Sequence, residues 1–477
     1  MGERSLALAP LPTTYIYGLM RYLDEFPYGC TEQLVSKALP QLSLINRAEF
    51  APVATNIDKA VAETVAQLRL RQTPEGGFSL WDGGETPDDF ATLYALDFLI
   101  GAMESGKPVP ARMVEDGLRY LRDWVNQSIG NYDDAVNRTY GIYLLTRSGI
   151  VTSNEILHVL RFFDEEKLAQ WKDDLPAAYI AASYKLMQQS SLADKTMDGA
   201  VNALRTSKMT LKDWRWDNNP FTVTARIITL LSRHFPERAA KIDDAVILRL
   251  AGFVQEEQYN TLSAAMAVEA LALYAQAAGK DMTGGAFKVE ADNKSVDIDD
   301  KISAALPLSA KTLEIEAKSK RPLFYVVSES GFDRTPATGD TAQKIEIDRA
   351  YTDADGKPLS GAVKVGDIVN AEITIRAHGD TAIDNVAVVD LLPGGFDLEP
   401  AADEPDGSTF PALFTERRED RLIVFGTAAP EPATIRYRLR AVSAGAYVTP
   451  PPFAESMYDV TAKARGKAGK ITVEDAQ

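Results

Sequence analysis

The sequence predicts a multidomain α + all-β chain, helical over its first 280 or so residues and β-structured beyond them. Two observations carry that division. From Pro12 to about Gly279, apolar side chains recur every three to four positions, the period of helices that bury one face. Past Gly284-Gly285 the period becomes alternation, as in Phe287-Lys-Val289-Glu-Ala291 and Leu313-Glu-Ile315-Glu-Ala317, with turn residues such as Asp355-Gly356 and Pro393-Gly394-Gly395 between the runs.

The helices follow in order. Tyr15, Leu19 and Tyr22 share one face before Pro27 and Gly29 interrupt it, and Leu34 to Leu44 resume it, with Pro40 expected to kink or end that helix. Further apolar-periodic segments run through Leu68 and Leu70, Phe90 to Leu99, Met113 to Trp124, Tyr140 to Leu145, Ala177 to Met187, Ala200 to Leu204, Phe221 to Leu231, Ala245 to Phe253, and Leu262 to Tyr274. Two of them share a lead-in: Gly76-Gly77-Phe78-Ser-Leu-Trp81 precedes the helix at Phe90, and Asp213-Trp214-Arg-Trp216-Asp-Asn-Asn-Pro220 the helix at Phe221. An aromatic corner followed by a Thr- and Ala-rich helix reads as a repeated hairpin, and repeated hairpins bury their faces by closing into a ring. The expectation is an α/α toroid of about six hairpins.

In the β region, Leu323 to Val327, Lys344 to Ile347, Ile368 to Ile375, Val386 to Leu392, Leu422 to Phe425 and Ile435 to Leu439 read as strands. The spacing of those beyond Asp340 fits a β-sandwich.

Composition excludes several functions. A net charge of −17 repels phosphate backbones and argues against a nucleic-acid partner. One cysteine rules out an internal disulfide framework. No apolar run approaches the ~20 residues of a membrane span. No Cys/His metal site or phosphate-binding glycine loop stands out, so no cofactor is expected. Asp353-Ala-Asp355-Gly356 lacks the other carboxylates of a calcium loop and reads as a hairpin turn.

The single cysteine lies in Phe26-Pro27-Tyr28-Gly29-Cys30-Thr31-Glu32-Gln33, just before an apolar-periodic run. On a helix, side chains three apart share a face, so the Cys30 sulfur and the Gln33 carboxamide carbon can meet. If they bond, ammonia leaves and an internal thioester forms: an acyl group stored inside the protein. Attack on that carbon by a target amine or hydroxyl would expel the Cys30 thiolate and leave a covalent link, once per molecule.

Tyr-Gly-Cys-Thr-Glu-Gln with its preceding proline resembles the thioester proteins related to alpha-2-macroglobulin and complement, the bacterial alpha-2-macroglobulins most of all. Asp390-Leu-Leu-Pro-Gly-Gly395 and the ending Pro450-Pro-Pro-Phe-Ala-Glu-Ser-Met457-Tyr458 resemble the last domain of the same family. The resemblance implies three domains: residues 1–280 as the thioester-containing toroid, 281–338 as the second half of a CUB-like β-sandwich, and 339–477 as a macroglobulin or receptor-binding-type β-sandwich. It places the first half of the CUB-like sandwich before Pro10, outside this chain. It assigns Cys30 and Gln33 to the thioester, Glu32 to the motif, and Phe26, Tyr28, Met457 and Tyr458 to shielding it from water. Glu32 has the alternative of a solvated helix-start carboxylate favoured by the helix dipole, and Met457 and Tyr458 that of strand-end core residues.

The implied protein is a periplasmic, single-turnover trap for proteases, tethering them through lysine amines, with further macroglobulin domains and a lipid anchor upstream and no membrane span in this part. A monomer is expected. Some thioester proteins route the acyl group through a histidine, but His158, His234 and His378 stand in no context that matches. Two competing functions remain: an α/α-toroid enzyme, for which Asp88-Asp89, Asp133-Asp134 and Asp173-Asp174 are the acidic candidates, and an interaction scaffold without a functional thioester.

Overall fold

A computed structural model of the chain describes all residues except 1–2, 10, 46, 48–49, 52, 55, 207–215, 257–258, 279–286, 297–302, 318–323, 332–339, 360, 401–406 and 477. The expected aromatic corner at Asp213-Trp214, the change of period at Gly284-Gly285 and the start of a strand at Leu323 lie outside the described residues. The chain divides into two compact units, Met1–Phe332 and Asp333–Gln477.

In the first unit, thirteen α-helices occur among the described residues: α1 Tyr15–Glu25, α2 Thr31–Leu42, α3 Ile57–Arg69, α4 Asp89–Glu104, α5 Ala111–Val125, α6 Tyr132–Arg147, α7 Ser153–Glu165, α8 Leu175–Leu186, α9 Ser190–Thr206, α10 Pro220–His234, α11 Pro236–Ala239, α12 Asp244–Gln255 and α13 Thr261–Ala277. Six of them close a ring: α2 packs on α4, α4 on α6, α6 on α8, α8 on α10, α10 on α13, and α13 back on α2. The rest form an outer layer, α3 against α2 and α4, α5 against α4 and α6, α7 against α6, α9 against α8.

Sequence decides which layer a helix joins. In α4 every residue from Ala91 to Ala102 is buried, as is nearly all of α10 and α13; helices apolar around their whole circumference need neighbours on all sides. The outer α5 buries Met113, Val114, Gly117, Leu121 and Trp124, one stripe at helical spacing, and turns its charges outward. α2 runs two residues past Pro40 rather than ending there. Near its end the proline forfeits a hydrogen bond to a carbonyl one turn back without breaking the helix.

The ring is not filled by hydrocarbon alone. Asp97 of α4 accepts from Arg226 of α10 at 3.0 Å, from Arg147 of α6 at 2.6 Å and from the Tyr140 hydroxyl of α6. Buried cations and a buried carboxylate are tolerable only when paired in this way.

The start of the chain belongs to a sheet and not to the helices. Glu3–Ala9 pairs antiparallel with Ser303–Ala305 on one side and Phe324–Ser330 on the other. Leu6 and Leu8 face Val289 and Leu306, next to a second three-stranded sheet of Lys294–Ser295, Phe287–Ala291 and Leu313–Ala317. One strand thus precedes the toroid helices and is zipped to strands that follow them. Its partners lie some 300 residues away in sequence, beyond the reach of local pattern.

In the second unit, a four-stranded and a six-stranded antiparallel sheet enclose one core, with a small three-stranded sheet beside them. Ile368–Ala377 and Ala433–Ala441 bury alternate residues, as one-sided strands must. Asp390, on the larger sheet, receives Arg349 and the Tyr437 hydroxyl from the smaller one, a polar rivet between the layers. Asp353 Oδ1 accepts the N–H groups of Asp355 and Lys357, with Gly356 at φ 80°, so this segment is a turn closed on itself.

Candidate functional site

Five of the six ring helices begin alike. Asp88, Asn131, Asp174, Asn219 and Asn260 cap α4, α6, α8, α10 and α13, each with a side-chain oxygen accepting a first-turn N–H at 2.7–2.9 Å. These residue types are the favoured caps. The ring helix α2 departs from the rule, because Cys30 stands in its cap position. Gln33, at the third helical position, turns back so that its Oε1 accepts the Cys30 N–H at 2.9 Å. That bond, half of a capping box, brings the Gln33 carboxamide to Cys30. Cys30 is 2% exposed and Gln33 fully buried.

The loop before α4 seals the other side. The Thr31 N–H donates to the Leu80 carbonyl at 2.8 Å, and its hydroxyl to the Ser79 carbonyl at 2.6 Å. The α2 terminus thereby gains a partner for an N–H that no helix bond can satisfy. The loop is held by Phe78, buried, whose N–H donates to Thr92 of α4 at 2.8 Å. It is also held by Gly76, at φ 104°, where a Cβ would stand 2.3 Å from the Asp116 carbonyl oxygen. Only glycine fits there. Gly29, by contrast, has no such constraint: a Cβ there would meet Leu34 at an ordinary 3.9 Å.

Glu32 is fully buried and not a solvated helix-start carboxylate. Its carboxylate accepts from the hydroxyls of Ser36, at 2.5 Å, and of Thr261, the first residue of α13, at 2.8 Å. The negative group thus sits at the N-terminal ends of two helices, where it is favoured, and ties the first ring helix to the last. Ser36 is also hydrogen-bonded to Tyr94 of α4 at 3.1 Å.

Aromatic rings line the approach to the motif. Phe26 meets Tyr28 edge-on at 5.5 Å and Tyr22 at 5.7 Å, and Tyr22 meets Tyr259 at 5.1 Å. Tyr28 is buried and Phe26 half-buried. Lys37, one turn beyond Gln33, donates to the Phe26 carbonyl at 2.7 Å; burial pushes its pKa down.

Arg71, just after α3, was not singled out from the sequence. It is 6% exposed. One terminal nitrogen donates to the Gly29 carbonyl at 2.8 Å and the other reaches the Thr31 hydroxyl at 3.3 Å, so the guanidinium spans the residues on either side of Cys30. Nothing local distinguishes such an arginine from a solvated charge at a helix end.

Met457 and Tyr458 lie in the second unit, just after the strand Phe453–Ser456. Both are buried. The Met457 N–H donates to the carbonyl of Asn385 at 2.9 Å, and Ser456 Oγ accepts the N–H of Asp459 at 3.2 Å, which fixes the turn that carries them. Asn385 stands at φ 56° where the ladder between Ile383–Leu391 and Arg421–Ala428 shifts register, a bulge beside that turn.

The histidines have partners elsewhere: the Gln127 carbonyl for His158, Tyr143 for His234 and Glu346 for His378. Asp88 and Asp174 are the caps of α4 and α8, and Asp134 pairs with Arg138 one turn on. The space between Tyr140, Tyr179, Arg226 and Asp217 is about 20 Å³, room for about one water. Among the described residues, no cluster of three or more His, Cys, Asp or Glu is arranged to hold a metal, and no helix is long and apolar enough to cross a membrane.

Residues 345–459 match the family described as the Bacterial Alpha-2-macroglobulin MG10 domain. Over 99% of its length the chain is 31% identical to the alpha-2-macroglobulin of Rickettsia conorii and 30% identical to an alpha-2-macroglobulin homolog of Yersinia pestis, covering 25% of each. It thus spans about a quarter of the length of these relatives. Its fold matches the crystal structure of native Escherichia coli alpha-2-macroglobulin from domain MG7 to the C-terminus, with a TM-score of 0.80 at 22% identity, over 99% of this chain and 77% of that one. The crystal structure of Salmonella alpha-2-macroglobulin reacted with methylamine matches with a TM-score of 0.78 at 22% identity, over 99% of this chain and 32% of that one.

Proposed function

This chain belongs to the bacterial alpha-2-macroglobulins, and from that premise we propose that Cys30 and Gln33 form an internal thioester that tethers an attacking protease. The observation that carries the reading is the hydrogen bond from the Cys30 N–H to Gln33 Oε1 at 2.9 Å, inside a site closed to water. To form the bond, the Cys30 sulfur adds to the Gln33 carboxamide carbon and the amide nitrogen leaves as ammonia. In the acyl form the oxygen remains where the Cys30 N–H polarises it, which favours attack at the carbon.

Attack comes from a lysine amine of the target. Its nitrogen bonds to Gln33 Cδ, the carbon–sulfur bond breaks, and its electron pair goes to the Cys30 sulfur. The proton lost by the amine ends on sulfur or in solvent. Each chain reacts once, so the activity is inhibitory capture and not turnover. Phe26 and Tyr28 exclude water from one side. Sensing of the protease belongs to macroglobulin domains upstream of this quarter-length chain, in a monomeric periplasmic protein held at the inner membrane by a lipidated N-terminus.

Intact-mass spectrometry with and without methylamine tests the reading. The expected chain is lighter than its sequence by one ammonia, gains one methylamine, and then exposes one thiol. Glutamate at position 33 would record a bond already hydrolysed. A full-mass chain that keeps glutamine at 33 and takes up no methylamine would leave the scaffold reading in its place.

A further inference from the structure

The Cys30 sulfur must leave as an anion, and water, the usual stabiliser of anions, is excluded from its site. Among the described residues, Arg71 is a buried cation in the right place. Arg71 is 6% exposed, holds the Gly29 carbonyl at 2.8 Å and touches the Thr31 hydroxyl at 3.3 Å, so its guanidinium straddles the residue between them. Its Nε is buried with no hydrogen-bond partner among the described residues. A buried donor left unpaired costs about 1–3 kcal/mol, and such groups call for an explanation.

We propose that Arg71 is the electrostatic stabiliser of the departing Cys30 sulfur, a role that rests on the thioester reading above. In the resting acyl state the sulfur is neutral and gains little from the guanidinium. As the carbon–sulfur bond breaks, its electron pair settles on sulfur, and the fixed positive charge lowers the energy of that state alone. Interactions that strengthen only as the bond breaks are those that raise the rate. The same cation keeps the freed thiol ionised, since a neighbouring arginine lowers a cysteine pKa, and an anionic sulfur is the better leaving group.

The electrostatics agree with the geometry. Burial lowers the Arg71 pKa, and negative charge at Cys30, then at Asp82, works against that fall. The other charged group on this end of α2, Glu32, is engaged by Ser36 and Thr261. Asp82 is exposed and opposes the field of Arg71 only through solvent.

The test compares the chain with its Arg71→Gln and Arg71→Lys variants. Thiol release on adding methylamine is followed with a chromogenic disulfide from pH 6 to 9, after mass spectrometry has established the fraction of acylated chains. Arg71→Gln should release thiol roughly tenfold more slowly and shift the alkylation profile of the freed thiol up by ~1 pH unit. Arg71→Lys keeps the charge and should recover most of both. Equal rates and equal alkylation profiles in the chain and Arg71→Gln would overturn the proposal. If Arg71→Gln does not fold, a folded Arg71→Lys variant with the thiol profile of a solvated cysteine would overturn it too. The two readings fail separately: without a thioester no ammonia is missing from the mass, yet the Cys30 alkylation profile still reports whether Arg71 lowers the thiol pKa.

Discussion

Replacing Glu32 with glutamine tests whether the motif carboxylate fastens the ring shut. The group is fully buried and accepts from Ser36 of its own helix and from Thr261 at the start of α13. Glutamine keeps the shape and one acceptor oxygen but loses the charge and turns an amide toward one of the two hydroxyls. A hydrogen bond to a charged group contributes about 1.5–3 kcal/mol, and a carboxylate at a helix N-terminus about 0.3–1 kcal/mol more. The Tyr94 hydroxyl remains beside Ser36 and recovers part of the loss. The expected cost is therefore about 2–3 kcal/mol. All five tryptophans lie in the first unit, so tryptophan fluorescence in a urea titration follows that unit alone. Thr261→Val should cost about 1–2 kcal/mol by itself. The double variant should fall short of the sum by about 1 kcal/mol, because both remove the same bond. A Glu32→Gln loss under about 0.5 kcal/mol, or strict additivity with Thr261→Val, would refute the fastening role.

Asp97→Asn leaves Arg226 and Arg147 buried around a neutral group, so it should cost about 3–5 kcal/mol in the same titration. Burial would raise the Asp97 pKa, but Arg226 and Arg147 outweigh burial and hold it well below the ordinary carboxylate value. The stability it brings is thus full above about pH 4 and lost on acidification below that. His234 acts earlier: burial, with Arg233 and Arg147 beside it, holds its pKa at about 3. The unfolded chain therefore binds a proton that the folded chain refuses as pH falls from about 6.5, costing roughly 1.4 kcal/mol per pH unit. His234→Phe should flatten the slope of unfolding free energy between pH 6 and 5 by about one proton, and an unchanged slope would disprove the assignment.

The helices were legible because each layer writes its own pattern, a stripe in α5 and an all-round apolar surface in α4. The Cys30–Gln33 juxtaposition was legible too, since three residues of helix suffice to define it. A sharper reading was available: Asp, Asn or Ser is expected where Cys30 caps α2. The burial of Glu32 was not legible, because a helix-start acid looks the same whether it faces water or the hydroxyl of Thr261, 229 residues away. Arg71 and the strand Glu3–Ala9 escaped for the same reason. Each is defined by partners that local periodicity cannot connect.

That first strand also decides how the molecule bears load. Glu3 pairs with Ser330 at one end of the ladder, and Ala9 with Phe324 at the end nearest the ring. A force applied at Glu3 and Ser330 opens the ladder like a zip, one pair at a time. The Arg4–Glu329 ion pair at 2.6 Å and the Arg21–Ser330 bond at 2.7 Å are the first catches to give way. Arg21 lies on α1, so the Arg21–Ser330 bond passes the first of that tension to one helix, and the ladder takes up the rest pair by pair down to Ala9. The sheet is a mechanical fuse beside the ring.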